Sequence, residues 1–351
     1  MVFFSIIFGT RPEYLKLKPL IDVFKKEKYF DFQVIYVQQH DYISDLIEDN
    51  SYLLKNLQIH TLSNHRMEDI GIQILSGLQK LIYTSTHIIV QGDTATAFYS
   101  ALYGFQNKLK VIHIEAGLRT YDLEKPFPEE AYRQMISRIA SIHFTPHDDC
   151  KKLLEEEKVS GKIYTVGNTI LDLIKSYNLN VYKGNKVLIT FHRRENWDYV
   201  KEFIIELNKL VEKYNHLEFI WYLHPNKDLQ EKVKQYIHSN IRLQYPANHY
   251  EFAKMIASSY CLLTDSGGIQ EEASFLGKQT IVLRKSTERN HIKYPYIQTV
   301  ELFKDIHTIF ESIDKLNDLA FCNVYGNGDS SQKIYELLKL QATLLYSSSY
   351  V

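Results

Sequence analysis

Residues 264–272 read TDSGGIQEE and stand between the apolar run SYCLLTD and the mixed run EEASFLG. Two glycines at the start of a helix let a ligand approach the backbone, and the unpaired N–H groups of a helix start favour an anion. Gly267 and Gly268 therefore define a candidate phosphate seat, with Ser266 as an added hydroxyl donor and Glu272, one turn on, as an acceptor for a sugar hydroxyl. Phe252 recurs at helical spacing with Met255 and Ile256, which suits either core packing or a base stacked on its ring. His192, in TFHRREN, stands among arginines at the end of an apolar run, where a ligand contact is expected. A second group of residues is acidic: Asp93 in QGDT, Glu115 in HIEAGLRT and Glu129 in FPEEAYR, with Arg133 four residues after Glu129. Carboxylates beside a sugar can act as acid and base, and enclosure among like charges raises the pKa of at least one of them. Taken alone, Glu129 and Arg133 also suit a helix-surface ion pair worth a few tenths of a kcal/mol. Arg11 and Lys16, at the start of the first helix, suit phosphate or carboxylate contacts.

The elements that position these residues follow from periodicity. VFFSIIF is a strand that runs through GTRPE into a helix, and FQVIYVQQH is a second strand ending at His40, with a helix expected near residues 42–49. Residues 67–83 have helical spacing. THIIVQGD and KVIHIEAGLRT are strands whose carboxyl ends deliver Asp93 and Glu115, and Pro128 announces the helix that carries Glu129. SIHFTP and KIYTV follow as strands, and the polar stretch around residues 178–186 reads as a linker. The pattern then restarts with KVLITFHRREN, LEFIWYLHPN, NIRLQ and SYCLLTD as strands, QTIVLRK after them, and an amphipathic helix at the end. Repeated strand, turn and helix units imply parallel sheets with ligands at the strand carboxyl ends. The expected class is α/β, with two Rossmann-like parallel-sheet domains and a cleft between them, over residues 1–177 and 178–329, and a last helix over residues 330–351.

A chain of 351 residues is long enough for two such domains. With 41 basic and 42 acidic residues it has no bulk charge to attract a nucleic acid. The apolar start is too short for a membrane span and lacks the marks of a signal peptide. Cys150, Cys261 and Cys322 are far apart and show no metal spacing, so a reducing cytoplasm and no metal are expected.

GTRPE, QGDT, HIEAGLRT, FPEEAYR, VGNT, TFHRREN, LTDSGGIQEEA and GKQTIVLRKSTER, in this order, resemble the motif series of the non-hydrolysing UDP-N-acetylglucosamine 2-epimerases over nearly the whole chain. The resemblance implies a GT-B-like fold whose last helix crosses back to the first domain, a homodimer, no cofactor, and interconversion of UDP-GlcNAc and UDP-ManNAc. The implied route removes the C2 proton, eliminates UDP anti to give bound 2-acetamidoglucal, and re-adds both. By motif position it implies acid–base roles for Asp93, Glu115 and Glu129, further active-site roles for Arg133 and His192, and nucleotide-sugar contacts for Arg11 and Lys16. It likewise implies diphosphate and ribose contacts for Ser266, Gly267, Glu272 and Arg289, and uracil packing for Phe252. Lys285, Asn290 and His291 depart from the family pattern, and Asp41 replaces the arginine that begins a regulatory site in many members. Related epimerases of UDP-2,3-diacetamido-2,3-dideoxyglucuronic acid are the alternative, since a carboxylated sugar suits an extra cation. A hydrolysing epimerase and a GT-B glycosyltransferase are weaker readings.

Overall fold

A computed structural model describes residues 2–38, 53–59, 66–245, 248–284, 291–293, 295–300, 303–314 and 320–348. His40, Asp41 and the helix expected near residues 42–49 lie outside the described residues, as do Lys285, Arg289 and Asn290. In chain order the elements are β1 (Phe3–Phe8), α1 (Arg11–Glu27), β2 (Asp31–Gln38), β3 (Leu53–Gln58), α2 (Arg66–Leu81), β4 (His87–Gln91) and α3 (Ala95–Gln106). They continue with β5 (Lys110–Ile114), α4 (Glu129–Ile139), β6 (Ile142–Thr145), α5 (Asp148–Glu156), β7 (Lys162–Thr165), α6 (Thr169–Ser176) and β8 (Lys186–Thr190). After a short helical turn, Arg194–Tyr199, come α7 (Val200–Lys213), β9 (Glu218–Tyr222), α8 (Lys227–Tyr236), β10 (Ile241–Gln244) and α9 (His249–Ala257). Last are β11 (Ser259–Thr264), α10 (Gly267–Phe275), β12 (Thr280–Val282), β13 (Ile297–Thr299), α11 (Ile306–Asp314) and α12 (Ser330–Ser348). No helix among the described residues is long and apolar enough to cross a membrane.

The chain forms two compact units, Met1–Leu173 with Tyr325–Val351, and Ile174–Val324. The division falls within α6, because Ile174 packs into the second unit's core beside Leu188 and Ala253. The polar stretch read as a linker is irregular backbone anchored to the second unit, where Tyr182 N–H donates to Ala257 O (3.1 Å) and Lys278 Nζ donates to Tyr182 O (2.7 Å).

In the first unit the sheet order is β3-β2-β1-β4-β5-β6-β7, and every pairing is parallel. Successive side chains of a strand point to opposite faces, so one strand feeds two cores. Phe4, Ile6 and Phe8 of β1 pack with Leu17, Leu20 and Phe24 of α1 and with Ile334, Tyr335 and Leu338 of α12, while Ile7 packs with Ile74 and Leu78 of α2 and with Ala97 and Ala101 of α3. Each large apolar side chain buried in this way contributes about 1.5–3 kcal/mol. α1 starts with a capping box: Thr10 Oγ1 accepts from Glu13 N–H, and the Glu13 carboxylate accepts from Thr10 N–H. The turn between β7 and α6 needs glycine: Gly167 has φ +97°, and a Cβ there would lie 2.6 Å from Ser330 Oγ and 2.7 Å from Tyr325 O.

In the second unit the order is β10-β9-β8-β11-β12-β13, again all parallel. Phe203, Trp221 and Phe310 fill one face of the sheet; Leu188, Ile220 and Leu262 fill the other. In both sheets the strand order reverses beside the first strand of the unit, between β1 and β4 and between β8 and β11. That reversal is where open parallel sheets leave a crevice at the strand carboxyl ends.

Candidate functional site

At the crevice of the first unit, the ends of β1, β4 and β5 are tied together by side chains. Lys16 Nζ lies 2.7 Å from Glu115 Oε1 and 2.6 Å from Oε2. Gln91 Nε2 also donates to Glu115 Oε2, and Asn168 Nδ2 reaches Oε1 at 3.4 Å. An ionised carboxylate accepts and never donates, and this ring of donors matches that demand. Glu115 also has φ +65°, a left-handed conformation that costs a non-glycine residue of order 1 kcal/mol and clusters at functional positions. Gly92 (φ +71°) makes the turn at the end of β4, and its carbonyl accepts from His113 Nε2 at 2.8 Å. Burial pushes the His113 imidazole down to about 3, so the ring is neutral in that contact.

Asp93 Oδ2 accepts from Arg133 Nε and Nη2, both at 2.7 Å, and Arg133 Nη1 reaches Glu130 Oε2 at 3.0 Å. Arg133 is 7% exposed and Glu130 is fully buried, so this is an interior network with α4 supplying the cation. The helix-surface reading of Arg133 is thereby corrected: its side chain turns inward, three residues from Glu130 and across to β4. Glu129 stands at the first position of α4 with Oε2 buried. Arg11 is half-buried at the start of α1 and has no ion-pair partner among the described residues. Glu13, which the sequence reading did not assign, braces the two turns: it accepts from Gly9 N–H (3.0 Å), Thr10 N–H (2.7 Å) and the Thr10 hydroxyl (2.7 Å), and its other oxygen accepts from Thr94 Oγ1 (2.6 Å). Burial raises the Glu13 carboxyl above its ordinary range, opposed by those four bonds. The Thr10-x-x-Glu13 spacing was its signal in the sequence. For Gln91, a polar residue closing an apolar strand was the only signal.

In the second unit, α10 starts at Gly267 with Ser266 as N-cap, and the Ser266 side chain makes no capping bond. A Cβ built on Gly268 would meet nothing within 4 Å. Packing among the described residues therefore does not require that glycine. Asp265, unread in the sequence, is fully buried and accepts from His192 N–H (2.8 Å), Arg193 N–H (2.9 Å) and Asn196 Nδ2 (2.9 Å). It thereby fixes the end of β8 against the end of β11. His192 is held below its ordinary pKa by burial, and its ring lies 5.7 Å from that of His224. Phe252 is half-buried on α9 and meets Tyr222 edge-on at 5.0 Å. Glu272 is 8% exposed and lies 3.3 Å from His249 Nε2.

The first unit thus gathers Asp93, Glu115, Arg133 and Lys16, and the second gathers Ser266, Gly267, Gly268 and His192, with Phe252 and Glu272 on its two neighbouring helices. This chemistry is a carboxylate set held by cations and amides, and a helix start of the kind that suits an anion.

A family model described as UDP-N-acetylglucosamine 2-epimerase matches residues 22–339. A UDP-N-acetylglucosamine 2-epimerase of Campylobacter jejuni is 33% identical, over 95% of this chain and 96% of that protein. Among solved structures, a UDP-GlcNAc 2-epimerase from Neisseria meningitidis bound to UDP-GlcNAc is similar with a TM-score of 0.83 at 30% identity, covering 96% of this chain and 99% of that one. The Methanocaldococcus jannaschii UDP-GlcNAc 2-epimerase in complex with UDP-GlcNAc and UDP gives 0.79 at 28% identity, covering 97% and 100%. The fold class expected from the sequence, two Rossmann-like parallel-sheet domains of the GT-B-like kind, agrees with the two sheets and with these neighbours.

Proposed function

This chain belongs to the UDP-N-acetylglucosamine 2-epimerase family, and on that premise we propose that it interconverts UDP-GlcNAc and UDP-ManNAc without net hydrolysis. The second unit takes UDP: Ser266, Gly267 and Gly268 receive the diphosphate at the start of α10, Glu272 the ribose, and Phe252 the uracil, with Arg289 as a further contact. Arg11 and Lys16 of the first unit contact the nucleotide sugar. Asp93, Glu115 and Glu129 handle the protons, and Arg133 and His192 are further active-site residues.

In the forward direction a carboxylate takes the proton from C2 while the C1–O bond to UDP breaks on the opposite face. The electron pair of the C2–H bond becomes the C1–C2 double bond of 2-acetamidoglucal, and UDP leaves as an anion stabilised at the helix start. Return of UDP to C1 and of a proton to C2 on the other face gives the epimer. The observation that carries this reading is the pair of carboxylates at the ends of β4 and β5, each set against a cation: Asp93 on Arg133 and Glu115 on Lys16.

Proton NMR of UDP-GlcNAc with the protein in D2O tests the proposal. UDP-ManNAc carrying deuterium at C2 is the expected product. Free ManNAc with UDP would refute the non-hydrolytic course. No change of either signal would refute UDP-GlcNAc as the substrate and make the diacetamido-uronate sugar the next one to try, as the cationic Lys285 suggests.

A further inference from the structure

Glu272 has a backing that the family motifs do not contain. The first residue of α9, His249, places Nε2 in a buried position 3.3 Å from Glu272 Oε2, within ion-pair reach but off hydrogen-bond alignment. The side chains of His249 and Glu272 are 11% and 10% exposed, so water does little to screen the contact. The other ring nitrogen, Nδ1, lies 3.0 Å from the Tyr177 hydroxyl. Tyr177 is itself held by its ring contacts, 5.7 Å from the His249 ring and edge-on to Tyr250 at 5.1 Å.

One proton arrangement suits both contacts. A carboxylate accepts only, and a neutral imidazole has one N–H and one lone pair. With Tyr177 donating to Nδ1, the ring proton sits on Nε2 and points toward Oε2 of Glu272, so a small rotation of the carboxylate completes the bond. One oxygen of Glu272 is then committed to His249, and the other is left to accept from a ligand hydroxyl. A side chain fixed in this way favours a sugar that offers a hydroxyl at that place, because an analogue lacking it leaves a buried carboxylate oxygen unpaired.

We infer that His249, backed by Tyr177, is a positioning residue that sets Glu272 to recognise the ribose hydroxyls of a nucleoside diphosphate. The inference rests on the proposed UDP seat. It concerns residues 72 and 23 positions apart in the chain, which no local spacing would connect.

The test is calorimetric titration of the full chain with UDP and with 2′-deoxy-UDP. The wild-type protein is expected to prefer UDP by roughly tenfold to a hundredfold, the range for a hydrogen bond to a charged group. His249→Ala should lower UDP affinity by roughly tenfold and leave that for 2′-deoxy-UDP unchanged, so that the preference collapses. His249→Gln, whose amide N–H can still reach Glu272, should keep most of the preference, and Tyr177→Phe should reduce it in part. Equal weakening of both ligands by His249→Ala would show a packing role and overturn the inference, as would a full preference retained in that variant. Should His249→Ala fail to fold, Tyr177→Phe decides: an undiminished preference, or equal weakening of both ligands, would overturn the inference. A wild-type protein that binds no UDP would overturn the UDP seat as well, an outcome distinct from UDP binding with an unaltered preference.

Discussion

Replacing Arg133 by methionine isolates the charge that joins α4 to the end of β4. Arg133 is 7% exposed and places three of its N–H groups against Asp93 Oδ2 and Glu130 Oε2 at 2.7–3.0 Å. Methionine keeps most of the apolar stem, so the loss is that of a cation between two carboxylates. Removing one partner of a buried pair costs about 3–5 kcal/mol, because the other is left as an uncompensated charge. Glu130 keeps three donors, Thr120 N–H (3.0 Å), Tyr121 N–H (3.2 Å) and Gln134 Nε2 (2.9 Å), while the Asp93 side chain is 28% exposed and can turn to water. The lower end of the range, about 3 kcal/mol at pH 7, is therefore expected. In urea this lowers the midpoint of the first unit's transition by roughly 1–2 M. Both tryptophans, Trp197 and Trp221, belong to the second unit, so far-UV ellipticity with tryptophan emission alongside it assigns the loss. The pH dependence supplies a second check. Burial alone would raise the Glu130 carboxyl, but the bonds from Gln134 and Thr120, the Arg133 charge and Tyr121 N–H outweigh it and hold the group below its ordinary value of 4.5. A carboxyl lowered in the folded state contributes stability above about pH 4.5, and that contribution is lost as pH falls through the native value. The gap between wild type and Arg133→Met should thus narrow below pH 4. A loss under about 1 kcal/mol at pH 7, or a gap unchanged at pH 3, would refute the reasoning.

Two further variants separate ligand roles from structural ones. Gly268→Ala adds a methyl that meets no protein atom within 4 Å, so thermal stability should hold or rise by up to about 1 kcal/mol while UDP affinity falls; unchanged UDP affinity by calorimetry would remove Gly268 from the seat. Glu115→Gln replaces an anion that sits on Lys16, Gln91 and Asn168, and turnover should fall by roughly 10²–10⁴ with UDP affinity altered only a few-fold; an equal loss of both would assign Glu115 a structural part.

What the sequence makes legible is whatever depends on local period and on turn chemistry. Alternation of apolar runs with helical spacing gave the parallel units, and strand ends at Gly9, Gly92 and Gly267 marked where ligands would sit. β13 escaped that reading because three residues, Ile297–Thr299, carry no period. Choices of partner escaped it for a different reason. Lys16 meets Glu115 across 99 positions and Arg133 meets Asp93 across 40, and those pairings follow from which strands lie side by side rather than from spacing. Arg133 had two glutamates in reach along its own helix, and the backbone N–H groups of Thr120 and Tyr121, far from any local rule, hold the carboxylate of Glu130 where the guanidinium meets it. The left-handed backbone at Glu115 is likewise invisible in a residue type that seldom adopts it.

Asp265 shows how such pairings bear on chemistry. TDSGG places an aspartate directly before the helix start that is read as an anion seat, and a carboxylate exposed there would repel a diphosphate. Asp265 is fully buried instead, with three donors from the end of β8 on its two oxygens: the His192 and Arg193 N–H groups and the Asn196 amide. Its charge is spent on the neighbouring strand, so the field at the helix start is set by the backbone N–H groups of α10. The same bonds fix the backbone of His192, so a histidine and an aspartate 73 positions apart are brought together. Within each unit, then, charge is arranged by one rule. Asp93, Glu115 and Asp265 are each held by protein donors, while the Ser266 side chain makes no capping bond to α10 and a methyl on Gly268 would meet no neighbour within 4 Å.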